Sequence, residues 1–186
     1  MQGRTSFILI TVLFYVGCCC IMPNNAPVLL GKIPMDQLLE KLEGYKARVI
    51  LYDPDPEAIR YLHSYNNPLT IEVFFGSWCP DCREHLPLFI KVIQEAANPN
   101  ISTIFIGVSR DKKEPAHLLQ GKGVQFVPTF IIYRESEEIG RIVEHPRISI
   151  EHDLVAILKE RRPFPLKALQ FPSYDESSNP PCEHAE

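Results

Sequence analysis

The stretch from Leu69 to Ala97 constrains the fold of this chain most, because an apolar run, a close pair of cysteines and an amphipathic run follow one another directly. Residues 69–75, LTIEVFF, are rich in β-branched and aromatic side chains, a composition that favours a strand. Residues 82–97 have the spacing of a helix with one apolar face, which comprises Leu86, Phe89, Ile90, Ile93 and Ala97. Cys79 and Cys82 are therefore predicted to lie where a strand gives way to a helix.

The spacing of these two cysteines fits three kinds of chemistry. A Cys-x-x-Cys pair occurs in redox enzymes, as half of a zinc site and as a local disulfide. A zinc site needs about four nitrogen or sulfur ligands, and the sequence offers a distant second pair only in Cys182 and His184. The spacing alone leaves all three alternatives open, so the surrounding residues have to decide between them.

The remaining sequence pattern predicts an α/β domain. Helices are predicted at 35–44, 55–65 and 149–161, and further strands at 48–52, 101–109, 128–134 and 137–145. The segment 101–109 is almost continuously apolar, as expected of a strand that is covered on both faces. The helix between it and 69–75 implies a right-handed crossover and a parallel pair of strands. The polar residues 135–138 predict that the last two strands form an antiparallel hairpin.

The N-terminus has the features of an export signal. Arg4 precedes an apolar run from Phe7 to Val16, and the small Gly17 then precedes Cys18. The run is shorter than the roughly 18 to 20 residues of a spanning helix. It resembles the signal of bacterial lipoproteins, in which such a cysteine is lipidated, although Tyr15 stands where that pattern usually has Leu. We therefore expect an exported protein, periplasmic or otherwise extracytoplasmic, tethered to the membrane by a lipid on Cys18 or by a short uncleaved anchor.

Length and composition predict one folded domain between two extensions. The chain has 186 residues, of which 45% are hydrophobic, and this is enough to form a core. We predict a signal peptide or anchor at 1–22, a linker at 23–34, the domain at 35–162 and a flexible Pro-rich tail at 163–186. The net charge of -4, without a basic stripe, argues against binding to nucleic acid.

The motifs of the domain resemble the thioredoxin family over residues 49–161. The resemblance rests on Phe75, the Trp-Cys-Pro-Asp-Cys motif at 78–82, Pro87, Val127-Pro128-Thr129 and Gly140. It implies a thioredoxin-like α/β fold in which helices flank a central mixed sheet on both faces. It also implies a thiol-disulfide oxidoreductase, similar to exported, membrane-tethered members of the family. Such an enzyme would act on protein thiols and disulfides and exchange electrons with a second redox protein.

The resemblance also assigns roles to the residues of the motif. Cys79 would be the attacking thiol, because the unpaired backbone N–H groups at a helix start favour a thiolate, and Cys82 would resolve the mixed disulfide. Pro80 and Asp81 lie between the two cysteines. The Asp81 carboxylate disfavours a second negative charge nearby, so we predict a reductive or isomerising enzyme. An alternative interpretation of Asp81 is a solvated residue of the helix start.

Three further residues are implied to border the cysteine pair. Trp78 would face the substrate or cover the pair. Pro128 would lie against the pair through a cis bond to Val127, which would leave the Val127 backbone to pair with an extended client.

The resemblance implies no metal and no cofactor beyond the redox-active Cys79–Cys82 disulfide. A binding or chaperone-like module of the same fold, with cysteines that stay oxidised, is the alternative function.

The chain departs from the family at the positions that handle protons. Many relatives have a buried Asp six residues before the first cysteine, where this sequence has Val73, and the neighbouring Glu72 is expected to point to the other face of the strand. Several membrane-tethered relatives have a Glu three residues after the second cysteine, where this sequence has His85. His85 is predicted either to accept the proton of Cys82 or to be an ordinary exposed helix residue.

Overall fold

A five-stranded mixed sheet forms the centre of the protein. The structure is a computed structural model, and it describes residues 28–41 and 44–160. The strands are β1 Gly31–Ile33, β2 Leu69–Phe75, β3 Ile101–Gly107, β4 Thr129–Arg134 and β5 Glu137–Val143. The helices are α1 Met35–Lys41, α2 Tyr45–Leu51, α3 Pro56–His63, α4 Pro80–Ala96, α5 Ala116–Leu119 and α6 Ile150–Lys159. The strand order is β1-β3-β2-β4-β5, which places β2 at the centre of the sheet.

The strand pairing confirms the predicted parallel pair and hairpin. β2 pairs in parallel with β3 along its full length, from Leu69 opposite Ile101 to Phe75 opposite Gly107. On its other side β2 pairs with β4 in the antiparallel direction, and β4 continues into β5 as an antiparallel hairpin. The sheet is mixed because β2 has one parallel and one antiparallel neighbour.

Helices pack on both faces of the sheet, as the predicted fold class requires. On one face, the ring of Phe89 in α4 lies 4.9 Å from that of Phe130 and 6.1 Å from that of Phe105. Phe130, Ile132 and Arg134 alternate along β4 and therefore share this face. Arg134 donates a hydrogen bond to the carbonyl of Leu158 in α6, so α6 lies on the same face. On the opposite face, Glu72 of the central strand bonds to Lys122, just after α5.

Two of the helices begin at residues whose side chains cap them. The Asp55 carboxylate accepts hydrogen bonds from the backbone N–H groups of Glu57 at 2.6 Å and Ala58 at 3.2 Å, and Pro56 occupies the first helical position of α3. The Ser149 hydroxyl accepts from the backbone N–H of His152 at the start of α6. These caps place both helix starts where the sequence predicted them.

The strand predicted at 48–52 is wrong, because these residues belong to helix α2 and its end. Tyr45 and Val49, four positions apart, are buried, whereas Ile50 and Leu51 are 76% and 81% exposed. A short apolar run fits a strand and a helix equally well when its periodicity is taken alone. Packing of α2 against α4 decides in favour of the helix.

The linker predicted at 23–34 is wrong at its C-terminal end. β1 pairs with β3 in the antiparallel direction, with Gly31 opposite Gly107. Just before it, the Leu29 backbone N–H donates to the Ser77 hydroxyl at 3.2 Å, and a Cβ atom at Gly107 would lie only 2.2 Å from the Leu29 carbonyl oxygen. The folded domain therefore begins before residue 35, with a segment that is fastened beside the cysteine motif.

The predicted apolar face of α4 is correct at its centre and wrong at its end. Leu86, Phe89 and Ile90 are fully buried. Ala97 instead caps the helix in a left-handed conformation, with φ 43°, and is exposed, while Ala96 is buried in its place.

The signal or anchor at 1–22 with Cys18, and the tail at 163–186 with Cys182 and His184, lie outside the described residues. Within residues 28–41 and 44–160, none of the helices has the length and apolar character needed to cross a bilayer.

Candidate active site at the start of helix α4

The two cysteines occupy the first turn of α4, directly after the central strand. Cys79 is the N-cap residue with extended backbone angles, φ −84° and ψ 127°, and Cys82 lies one turn further along. Both are free thiols. Cys79 is 5% exposed and Cys82 is fully buried, so Cys79 is the more accessible sulfur. This is the order of exposure that an attacking and a resolving thiol need.

The Cys79 sulfur lies against the loop that precedes β4. In its protonated form the thiol donates to the Val127 carbonyl oxygen at 3.2 Å, and the following peptide bond, Val127–Pro128, is cis. Val127 and Pro128 are both buried. The structure therefore brings together Cys79, Val127 and Pro128, which are separated by almost 50 residues in the sequence.

Cys79 is strongly acidified for a thiol. A hydrogen bond from the Cys82 side chain, aided by the backbone N–H groups of Cys82 and Asp81, lowers the pKa of Cys79 to about 6. Partial burial and the negative charge of Asp81 oppose this change. A helix start alone contributes at most about 2 kcal/mol, or roughly 1.5 pKa units. The Cys82 thiol is therefore a donor that the sequence argument did not include, and at neutral pH Cys79 is mainly a thiolate.

Cys82 has the opposite character. Burial raises the pKa of Cys82 far above its usual value, and the hydrogen bond to Cys79 and the negative charge on that sulfur act in the same direction. The Gly76 backbone N–H, 3.3 Å from the Cys82 sulfur, opposes the shift. The hydroxyl of Tyr45 in α2 donates to the Cys82 carbonyl oxygen at 3.0 Å and so holds the first turn of α4 against α2. Cys82 therefore keeps its proton until the chemistry of Cys79 removes the neighbouring negative charge.

Trp78 is half-buried and is held in place on two sides. Its indole N–H donates to the Val108 carbonyl at 3.2 Å, and the Arg110 guanidinium carbon lies 5.2 Å from the ring centroid. The ring covers Gly76, where a Cβ atom would approach it to 2.6 Å. Trp78 therefore covers the turn before Cys79 and is itself partly exposed.

The two residues between the cysteines differ in exposure. Pro80 is exposed and occupies the first helical position of α4, where its missing N–H leaves no intrahelical bond unmade. Asp81 is half-buried in the first turn, and its negative charge raises the pKa of both thiols. The predicted effect of Asp81 on the sulfurs is thus present, but at Cys79 the hydrogen bonds outweigh it.

Neither Val73 nor Glu72 of strand β2 supplies a base for Cys82. Val73 is fully buried and pairs with Phe105 and Phe130, the two residues that face Phe89. The carboxylate of Glu72 points to the opposite face, as predicted, and bonds there to the Lys122 ammonium group. Neither residue therefore replaces the buried Asp that many relatives have.

His85 is not an exposed helix residue, which corrects one of the two interpretations of this position. It is 8% exposed, and its Nε2 atom lies 3.0 Å from Nδ1 of the exposed His145. Its own Nδ1 atom is buried and has no hydrogen-bond partner among residues 28–41 and 44–160. Burial lowers the pKa of His85, which is therefore neutral at pH 7 and able to accept a proton.

Three residues of the site were missed by the sequence analysis. Gly76 stands before the motif, and its lack of a side chain makes room for the Trp78 ring. Tyr45 lies shortly before residues 48–52, whose sequence pattern predicts a strand, and His145 follows β5. Only Gly76 had a local signal, since a glycine between a strand and a helix often marks a close approach.

The described residues also bear on the metal alternative. Over 28–41 and 44–160, His, Cys, Asp and Glu side chains form no group of three or more that could hold a metal ion. Cys182 and His184, the second pair that this alternative requires, lie outside those ranges. The metal site therefore receives no support from the residues around Cys79 and Cys82.

The chain is similar to several proteins named thioredoxin. The family model described as Thioredoxin matches residues 36–158. The chain is 29% identical over 93 residues to putative thioredoxin-5 of Dictyostelium discoideum, which covers 50% of this chain and 85% of that protein. It is 31% identical over 90 residues to an H-type thioredoxin of Brassica oleracea, covering 48% and 68%. Thioredoxin f2 of Chlamydomonas reinhardtii is a solved structure with 20% identity and a TM-score of 0.39, covering 57% and 90%.

Proposed function

The chain belongs to the thioredoxin family, and from that premise we propose that it is a thiol-disulfide oxidoreductase that exchanges disulfides with protein clients through Cys79 and Cys82. The observation that carries the proposal is the contrast between the two sulfurs. Cys79 has a pKa of about 6 and is 5% exposed, whereas Cys82 is fully buried and its pKa is raised. A structural or metal-binding pair has no need of such a contrast.

The proposed exchange has two balanced steps. The Cys79 thiolate attacks one sulfur of a client disulfide, a bond forms between them, and the second client sulfur leaves as a thiolate that takes up a proton. Cys82 then loses its proton and attacks the Cys79 sulfur, which releases the first client sulfur. The client gains two electrons, and the cysteine pair becomes a disulfide. A second redox protein must then reduce that disulfide.

We propose that the exchange runs in the reductive or isomerising direction. Asp81 and the burial of Cys82 support this proposal, because both disfavour a second thiolate in the reduced form. The low pKa of Cys79 acts against it, because a stabilised thiolate makes a pair more oxidising. Equilibration with glutathione is expected to give a potential below about −180 mV, and a value near −120 mV would identify an oxidant.

The location that we propose rests on the N-terminal sequence. Val16, Gly17 and Cys18 follow a short apolar run, so the protein is proposed to be exported and held at the membrane by a lipid or an anchor. Cys18→Ser should release the protein from the membrane fraction or block its processing. Unchanged fractionation and unchanged mass in this variant would contradict lipidation at Cys18.

Alkylation at graded pH tests the assignment of the two thiols. The thiolate is the reactive form, so the rate for Cys79 should fall by half only as the pH drops to about 6. An ordinary thiol would already lose reactivity below about pH 8.5. Cys79→Ser should abolish the fast reaction, and Cys182→Ser serves as the matched control. A fast thiol that persists in Cys79→Ser would contradict the assignment.

Turnover distinguishes an enzyme from a binding module. The parent should reduce insulin disulfides repeatedly when a reductant is supplied, and Cys82→Ser should instead accumulate a mixed disulfide between Cys79 and its client. Identification of the trapped proteins would name the clients. If the parent showed no turnover and the variant no mixed disulfide, the binding-module alternative would be favoured.

A further inference from the structure

His85 and His145 form a pair in which a buried side chain of the helix that bears the cysteines contacts an exposed one. His85 is a buried residue of α4, whereas His145 is an exposed residue that follows β5. The segment of His145 is fastened to the site, because the backbone N–H of Glu144 donates to the Pro128 carbonyl at 2.8 Å. The two rings meet edge to face, with centroids 5.2 Å apart.

The bond between the rings requires one proton and one lone pair. Either His85 Nε2–H donates to His145 Nδ1, or His145 Nδ1–H donates to His85 Nε2, at the same 3.0 Å. In the first arrangement the buried Nδ1 of His85 is a lone pair, and in the second it carries a proton. The two arrangements have the same net charge, so burial does not prevent the pair from changing between them.

This change moves a proton from the interior to the surface. A proton that reaches His85 Nδ1 allows the proton on Nε2 to pass to His145 Nδ1, and the proton on His145 Nε2 then leaves to solvent. When a second redox protein later reduces the disulfide, Cys82 leaves as a thiolate and takes the proton from His85 Nδ1. The proton on His145 Nδ1 then passes back to His85 Nε2, and His145 Nε2 takes a proton from solvent, which restores the first arrangement. The buried Nδ1 atom, which has no partner in the described structure, is where this sequence would begin.

The proposed function needs such a path at Cys82. Before it attacks, the Cys82 thiol must lose its proton in a fully buried position, where Val73 offers no base and Glu72 is bonded to Lys122 on the other face. His85 follows Cys82 by three positions on α4, a spacing that brings helix side chains within about 5–6 Å of each other at Cβ.

We infer that the His85–His145 pair is the proton relay of the resolving step, in which His85 takes the proton of Cys82, directly or through one water, and His145 delivers it to solvent. The inference rests on the proposed function, since it concerns the second step of that exchange. It adds a residue, His145, that is 60 positions away from its partner in the sequence.

The charges around His85 are consistent with this role. Burial lowers the pKa of His85, and a positive charge on His145 would lower it further. Glu84 and Asp81, both on α4, act in the opposite direction through their negative charges. The result is a neutral base near pH 7, the form that can accept a proton.

Substitution of His145 is the decisive test, because this side chain is exposed and its loss leaves the core intact. Each variant is loaded with an aromatic thiol as a mixed disulfide on Cys79, and its release by Cys82 is followed in single turnover from pH 6 to 9. His145→Ala and His145→Gln should slow the release about ten-fold near pH 7, less than the roughly 10²- to 10⁴-fold contribution of a complete acid-base group, because His85 itself remains. The glutamine keeps a hydrogen bond to His85 but cannot pass a proton on, so a purely structural role would leave its rate unchanged.

The remaining variants separate the possible outcomes. His85→Ala should slow the release at least as much, His117→Ala is the control at another exposed histidine, and alkylation of Cys79 should stay at the parent rate in all of them. The losses should shrink at high pH, where Cys82 ionises unaided. Equal rates for the parent and both His145 variants across pH 6 to 9 would overturn the relay alone. Failure of the parent to release the thiol would overturn the proposed function.

Discussion

The two faces of strand β2 differ sharply in their chemistry, although their residues alternate along a single chain segment. Val73 lies between Phe105 and Phe130 of the neighbouring strands, on the face that α4 covers. This face supports the helix that bears the cysteine pair. Glu72, its neighbour, faces the other way and forms an ion pair with Lys122. One face of the strand is thus apolar and supports the helix that bears the two cysteines, whereas the other face contains the Glu72–Lys122 ion pair.

This difference shows where proton transfer can and cannot take place. A fixed ion pair such as Glu72–Lys122 is already neutralised, and it lies on the wrong side of the sheet to serve Cys82. The apolar face raises the pKa of any acid it buries, as it does for Cys82. A base for Cys82 therefore has to come from α4 or from a loop above it, and not from the strand.

Placing a carboxylate on the apolar face should have the largest effect on stability. Burial without a partner raises a carboxyl pKa by up to about 3–5 units, and each unit corresponds to about 1.4 kcal/mol. Val73→Asp should therefore lose about 3 kcal/mol or more at pH 7, measured by urea denaturation. Because the folded-state pKa is raised, the charge penalty should be absent below about pH 4 and grow as the pH rises towards the folded-state pKa.

Val73→Asn is the matched control for this prediction. Asparagine has nearly the same shape as aspartate and no charge, so its loss of stability should not depend on pH. Identical pH profiles for the two variants would show that the aspartate finds a partner in the core. That result would break the contrast between the two faces of β2.

Removing the cation from the charged face should have a smaller effect. Lys122→Met leaves Glu72 without its partner, and the side chains of Lys122 and Glu72 are 28% and 18% exposed. Isolated surface pairs contribute about 0–1 kcal/mol and broken buried pairs cost about 3–5, so we expect a loss of about 1–2 kcal/mol in urea denaturation. In a double-mutant cycle with Glu72→Gln, the double variant should lose less stability than the sum of the losses of the two single variants. Additive losses would mean that the pair does not stabilise this face.

Removing one hydroxyl behind the cysteine pair should have the smallest effect of the three. Tyr45→Phe deletes the hydrogen bond to the Cys82 carbonyl and keeps the ring, which is 2% exposed. A single hydrogen bond contributes about 0.5–1.5 kcal/mol, so the midpoint of urea denaturation should shift slightly. The alkylation rate of Cys79 at pH 7 should stay the same. A large change in that rate would extend the active face to α2.

Features that depend on neighbouring residues could be predicted from the sequence. The strand at 69–75 has the bounds that its composition indicated, because β-branched and aromatic residues favour a strand wherever the chain buries them. The start of α3 follows from Asp55 and Pro56, whose effects on the helix end within one turn. The segment at 48–52 was mispredicted because its pattern suits two structures and the packing of α2 on α4 selects one.

The pair Cys79 and Cys82 and its place at a helix start, and hence a thiolate-forming site, could be predicted because they depend on residues within a few positions of one another. The distant groups that contact this pair could not be predicted in the same way. The Val127 carbonyl reaches Cys79, Tyr45 reaches the Cys82 backbone, and His145 reaches His85. These contacts depend on how the strands and helices pack, because hydrogen bonds between residues far apart in the chain exist only after the elements that bear them are in place.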